Sequence, residues 1–220
     1  MTGTLFLHPP VEEQTAEDQR LLAALQSGDE RAYEQLIERF QTPVYNLAYR
    51  LLNDQSDAAD VLQEVFIKIF RNVATFRGDS SLRTWVYRIA VNESHNRRRW
   101  LFRHRRGETG IEEFWDDSES REKPLKDHGE TPFDFTMNRE AQLILEEGLA
   151  ALNPVYRDVL VLREVEEMSY EEIAAILEVS IGTVKSRIVR GRDALRKHLA
   201  SRLEHQTSIQ SGQLVPRAAK

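Results

Sequence analysis

Apolar residues in the first half of the chain recur at steps of three and four. Tyr33, Leu36, Ile37, Phe40, Val44, Leu47, Ala48 and Leu51 form one such series, the spacing of a single helix face. Pro43 falls between Phe40 and Val44 and admits a kink or a break there. The stretch "SDAADVLQEVFIKIF" gathers Val61, Leu62, Val65, Phe66 and Ile69 on a second face, with Ser56 as the expected N-cap and Asp57 in the first turn. A third helix is expected from about Leu82 into a run of arginines, burying Trp85, Ile89 and Val86.

The second half repeats the helical spacing. Asn153 before Pro154 fits an N-cap followed by proline at the first helical position, opening "PVYRDVLVLREVEE". Ser169 and Glu172 have the spacing of a capping box, in which each residue satisfies the other's free backbone amide, and they open "YEEIAAILEV". No strand period or hairpin dipeptide interrupts these patterns, so the expected fold is all-α.

Between the halves the periodicity lapses. Residues 107–134 hold ten acids and three bases, a net charge of −7, together with glycine, proline and serine. Such a segment reads as a flexible acidic linker between two small helical domains. The expected organisation is an extension and the start of the first helix at 1–27, a first domain at 28–104, the linker at 105–135, a second domain at 136–203 and a tail at 204–220.

Charge is distributed unevenly along the chain. The chain as a whole carries a formal −6, but without the linker the remainder sums to about +1. Within it, residues 97–106 carry six arginines, and residues 181–202 carry seven Lys or Arg against Asp193. The second cluster sits where a short helix at 170–178, a break at "VSIG" and a longer helix from Ile181 make the layout of a helix-turn-helix. Val184, Ile188, Leu195 and Leu199 form its inward stripe; Lys185, Val189, Arg192 and Arg196 face outward, with Ser186 and Arg190 beside them. Short and basic side chains near a helix N-terminus suit base edges in a major groove, and the remaining bases suit phosphates.

Other chemistries find little support. The chain of 220 residues has no cysteine, which excludes a disulfide framework and thiolate catalysis and suits a reducing cytoplasm. Its histidines at 8, 95, 104, 128, 198 and 205 show no ligand spacing, and no glycine-rich phosphate loop occurs, so no metal, cofactor or catalytic residue is expected. The N-terminal stretch is a poor signal peptide, and no run is long enough to span a membrane, so a cytoplasmic protein without membrane insertion is expected. The stretch "LVPR" near the C-terminus fits either a protease-site remnant of an engineered fusion or a native tail.

Two segments narrow the function further. "DAADVLQEVFIKIF", followed by "FRGDSSLRTWVYRIAVNESHNRRR", resembles the extracytoplasmic-function (ECF) sigma factors, small alternative sigma subunits of bacterial RNA polymerase. The resemblance covers residues 28–100 and 138–199, with both motif sets in family order. It implies sigma region 2 in the first domain and sigma region 4 in the second. The polar face of the "DAADVLQEVF" helix, with Asp60, Gln63, Glu64 and Lys68, would then dock on core polymerase. The loop and helix carrying Arg77, Gly78, Asp79, Ser80, Arg83, Arg88 and Arg97 would capture and open the minus-10 element, with Arg98 and Arg99 adding phosphate contacts. Arg163, Thr183, Lys185, Ser186, Arg187, Val189 and Arg190 would read the minus-35 element. The resemblance also implies an anti-sigma partner, an acidic linker lying in the polymerase's basic channel, and catalysis left to the polymerase. The rival reading is a stand-alone helix-turn-helix regulator with residues 28–100 as a ligand or dimerisation domain.

Overall fold

The computed structural model describes the backbone of residues 11–105 and 139–212 and the side chains of residues 16–104 and 143–202. The acidic segment 107–134 and the "LVPR" stretch lie outside the described residues. Among the described residues every regular element is helical, as the apolar spacing predicts. The elements are α1 (Val11–Gln26), α2 (Glu30–Leu52), α3 (Gln55–Asn72), a 3-10 turn (Val73–Thr75) and α4 (Leu82–Arg105). After them come α5 (Arg139–Ala151), α6 (Pro154–Leu160) running on as a π-helical turn (Val161–Val165), α7 (Tyr170–Leu177) and α8 (Ile181–Gly212). The chain divides into two compact units, one built on α1 to α4 and the other on α5 to α8.

Helix α2 is the spine of the first unit. Asp29 caps it by accepting a hydrogen bond from the Arg31 amide, and Asn53 ends it in the left-handed conformation with φ 55°. Leu36, Phe40, Val44, Leu47, Ala48 and Leu51 are all buried, while Ile37 stays exposed. Pro43 neither breaks nor ends the helix. It forgoes one backbone hydrogen bond, but the buried residues on both sides anchor each half of α2, and every fully buried leucine contributes about 2 kcal/mol or more.

Two sequence expectations need correction in this unit. The N-cap of α3 is Asp54, not Ser56: the Asp54 carboxylate accepts from the Asp57 amide at 2.9 Å, and a carboxylate there also complements the positive end of the helix dipole. In α4 the buried stripe is Leu82, Val86, Tyr87, Ala90, Val91 and Ser94, whereas Trp85 and Ile89 are half-buried. Small residues at 90 and 94 suit a tight interior contact, and the indole of Trp85 stacks instead on Phe76 with centroids 4.6 Å apart. Helix α1 was not singled out by the periodicity. It buries Leu21 and Leu25, pairs Asp18 with Arg39 of α2 at 2.6 Å, and sends the Gln26 side-chain amide to the carbonyls of Val73 and Phe76.

The second unit opens as its sequence predicts: Asn153 accepts from the Val155 amide at 3.0 Å, with Pro154 next in the first helical turn. Arg157 is buried, and its guanidinium donates to the carbonyls of Leu149, Ala150 and Leu152 at the end of α5. It thereby satisfies acceptors that a helix C-terminus leaves open. Two glycines let α8 come close. A Cβ on Gly191 would lie 3.1 Å from Cγ of Leu160 and 3.2 Å from Cβ of Tyr156, and one on Gly148 would lie 2.9 Å from Cδ1 of Leu195. Gly191 has poor helix propensity, but a side chain there would need Leu160 and Tyr156 to give by a few tenths of an ångström at the α6–α8 contact.

Candidate functional site

The loop between the 3-10 turn and α4 is closed at its base by the Phe76–Trp85 stack and by the Gln26 bond to the Phe76 carbonyl at 2.8 Å. Ser81 caps α4, its hydroxyl accepting from the Thr84 amide at 3.0 Å. Between these anchors Arg77, Gly78 and Asp79 are exposed and Ser80 is half-buried. Gly78 has φ +76°, a conformation that other residues enter only under strain, which explains glycine at this position. Arg83 lies half-buried with its guanidinium 5.1 Å above the Tyr87 ring, and Arg88 is half-buried one turn further on.

Arg97 occupies a different place from the loop residues it was grouped with. It lies about 24 Å along the helix from Ser81 at 1.5 Å per residue. Its Nε donates to Oδ1 of Asp57 at 2.8 Å, and its guanidinium also pairs with Oδ2 of Asp60 at 2.8 Å. The guanidinium lies 5.1 Å from the centroid of the Trp100 ring. Its charge is met within the chain, where it braces α4 on α3 over the buried Asp57 carboxylate.

On α3, Asp60, Gln63 and Glu64 are exposed and share one polar face, while Lys68 is half-buried and pairs with Glu93 of α4 at 2.5 Å. Lys68 and Glu93 line an open polar cleft of about 590 Å³ with His95, Arg98 and Arg99. The α3 face and the loop are thus separate surfaces of one unit, and the Asp60–Arg97 and Lys68–Glu93 pairs join α3 to α4.

The helix-turn-helix is built from two caps. Ser169 and Glu172 exchange hydrogen bonds as a capping box at the start of α7, at 2.9 and 3.2 Å. Ser180 caps α8, accepting from the Thr183 amide at 3.1 Å. The turn between them is made at Glu178, with φ 56°, and not at Gly182, which lies in the first turn of α8. Val184 and Ile188 are buried as expected, whereas Leu195 and Leu199 are half-buried. Lys185 is exposed, and Thr183, Ser186, Arg187, Val189 and Arg190 are half-buried along the same helix. Arg192 pairs with Glu164 at 2.7 Å. Arg163 donates to the Met168 carbonyl at 2.9 Å and stands 4.9 Å from the centroid of the Tyr170 ring, whose other cation neighbour is Lys185 of α8 at 5.8 Å. Tyr170 was missed by the sequence reading, because an aromatic at the start of an amphipathic helix gives no signal distinguishing a cation partner from core.

Comparison with known proteins resolves what these surfaces belong to. The Sigma-70 region 2 family model matches residues 36–104, and the Sigma-70 region 4 model matches residues 142–195. The RNA polymerase sigma-H factor of Pseudomonas aeruginosa is 37% identical over 185 residues, covering 83% of this chain and 94% of that protein. The chain is an ECF sigma factor. The ECF RNA polymerase sigma-E factor of Escherichia coli is likewise 37% identical over 180 residues, covering 81% of this sigma factor and 92% of the relative. Among solved structures, CnrH in complex with the cytosolic domain of CnrY shares 26% identity and a TM-score of 0.59, covering 84% of this chain and 97% of that one. RpoE of Bartonella quintana, with a TM-score of 0.57 and 23% identity, shares the fold over 76% of this chain and 96% of its own. The sigma factor therefore works with RNA polymerase at promoter DNA in transcription initiation, and a stand-alone regulator is not favoured. No helix among the described residues is long and apolar enough to cross a membrane.

Proposed function

We propose that this sigma factor divides its work among three surfaces. The α3 face with Asp60, Gln63, Glu64 and Lys68 docks on core polymerase. The loop Arg77–Ser80, with Arg83 and Arg88, captures and opens the minus-10 element. Region 4 binds the minus-35 element through Thr183, Lys185, Ser186, Arg187, Val189 and Arg190, with Arg163 alongside, some of them on base edges and others on the backbone. Arg97 braces the α3 face from α4 through Asp57 and Asp60 and lies in the arginine run that adds phosphate contacts beyond the loop. The observation that carries this reading is the coincidence of a capped, glycine-turned exposed loop and a separate acidic helix face on one unit, with a basic helix-turn-helix on the other.

The residue types fit these tasks. Unstacking a base costs a few kcal/mol, and a loop with short polar groups and open amides at a helix start offers the contacts that offset it. The chain holds no catalytic residue of its own; phosphodiester chemistry stays with the polymerase, and the protein acts in the cytoplasm. An anti-sigma protein holds it inactive, a reading supported by the family resemblance and by CnrH having been solved with the cytosolic domain of CnrY.

Docking and opening separate by mutation. Asp60, Gln63 and Glu64 changed together to alanine should weaken a core polymerase pull-down at least tenfold, a loss of about 1.4 kcal/mol or more. Asp79 and Ser80 changed to alanine should leave the pull-down intact and reduce permanganate reactivity of the opened element. Both sets failing at the same step would contradict the division.

A further inference from the structure

We propose that Tyr170 is a positioning residue for DNA binding: its ring holds Arg163 and Lys185 together as one cationic unit that grips a backbone phosphate of the upstream duplex. This deepens the reading of α7 and α8 as a DNA-binding element and rests on it. The guanidinium carbon of Arg163 lies 4.9 Å and the ammonium of Lys185 5.8 Å from the same ring centroid. The three residues come from three elements, the π-helical turn, the start of α7 and the second turn of α8, so their meeting is a tertiary arrangement rather than a helix repeat.

Each member is held from its own side. The π-helical turn carries Arg163, with the Glu166 amide bonded to the Val161 carbonyl at 3.0 Å, and Arg163 is pinned further by its bond to the Met168 carbonyl. The Ser169–Glu172 capping box fixes Tyr170 as the first residue of α7. Lys185 follows the buried Val184 on α8. Two like charges repel one another, and attraction of each to the electron-rich π-system of the tyrosine ring offsets that repulsion while leaving the pair's positive charge intact. The pair suits an anion of phosphodiester type. A phosphate is favoured over a base edge because Arg163 lies outside the recognition helix and Tyr170 begins the helix that, in this motif, crosses the DNA backbone.

The test uses holoenzyme assembled from core polymerase and full-length chain carrying Tyr170→Phe, Tyr170→Leu or Tyr170→Met. Binding is measured across a salt series to a duplex selected from a random promoter library and to an unrelated mixed-sequence duplex, with thermal melting of each variant in parallel. Tyr170→Phe should bind as the unchanged protein does. Tyr170→Leu and Tyr170→Met should weaken binding to both duplexes by about three- to tenfold and lower the slope of log affinity against log salt by about 1. Phenylalanine as weak as leucine, leucine as strong as tyrosine, or a loss confined to the selected duplex would each overturn the proposal. If both apolar variants melt early, the double-mutant cycle of Arg163→Ala with Lys185→Ala decides instead: the two losses should overlap, and strictly additive losses would overturn the pairing. Should neither alanine substitution change binding to any duplex, the DNA-binding reading of this face fails; should they weaken it while Tyr170→Leu does not, only the role of Tyr170 fails.

Discussion

Gly191 shows how a single residue can look unfavourable along the chain and still suit a close contact in three dimensions. In an exposed helix, alanine would be favoured over glycine by about 1 kcal/mol. Here a new Cβ meets the side chain of the fully buried Leu160 and the Cβ of Tyr156. Overpacking of this kind costs about 1 to 3 kcal/mol, so the clash outweighs the propensity gain. Gly191→Ala should lower the urea midpoint of the full chain, with a net loss of up to about 2 kcal/mol; a raised midpoint would show that the α6–α8 contact yields. Asp54 makes the complementary point, since both it and Ser56 have the right chemistry for an N-cap, and only the backbone decides which oxygen reaches the Asp57 amide.

At the scale of elements, the helices that carry a long apolar stripe were legible. Helices α2 and α3 bury most of the residues that their spacing assigned, and the caps at Asn153 and Ser169 stand where their side chains placed them. What stayed hidden depends on contacts distant in sequence. The short apolar pattern of α1 gains meaning only through the Asp18–Arg39 pair and the Gln26 bonds near residue 76. The inner face of α4 is made partly of Ala90 and Ser94, which no hydrophobicity pattern emphasises, while its conspicuous Trp85 serves the loop. Arg97 is expected among the DNA-facing arginines because the run around it is basic, and its pairing with a buried aspartate across the helix pair is a contact that no local pattern signals. For the recognition helix the prediction is specific: Ser186→Ala and Arg190→Ala should each change base preference at the upstream element, costing about 1 to 3 kcal/mol where a base contact is lost. Selection from a randomised upstream element by the variant holoenzymes checks this, and an unchanged preference would contradict the placement of that face.

Across the whole molecule, a segment of net −7 joins two units that each carry a basic cluster. We propose that residues 107–134 enter the basic nucleic-acid channel of the polymerase. Replacing Glu112, Glu113, Asp116, Asp117 and Glu119 with the corresponding amides should alter abortive synthesis and promoter escape severalfold while leaving promoter binding nearly unchanged; normal escape would reduce the segment to a tether. The chain acts only as a polymerase subunit, and run-off transcription over a promoter library, with core polymerase and with the chain alone, is the decisive measurement. Discrete, promoter-specific transcripts are expected from core plus chain, with tight opened complexes only when both are present. Tight, sequence-specific duplex binding by the chain alone, with no promoter-specific transcript from the mixture, would contradict that role.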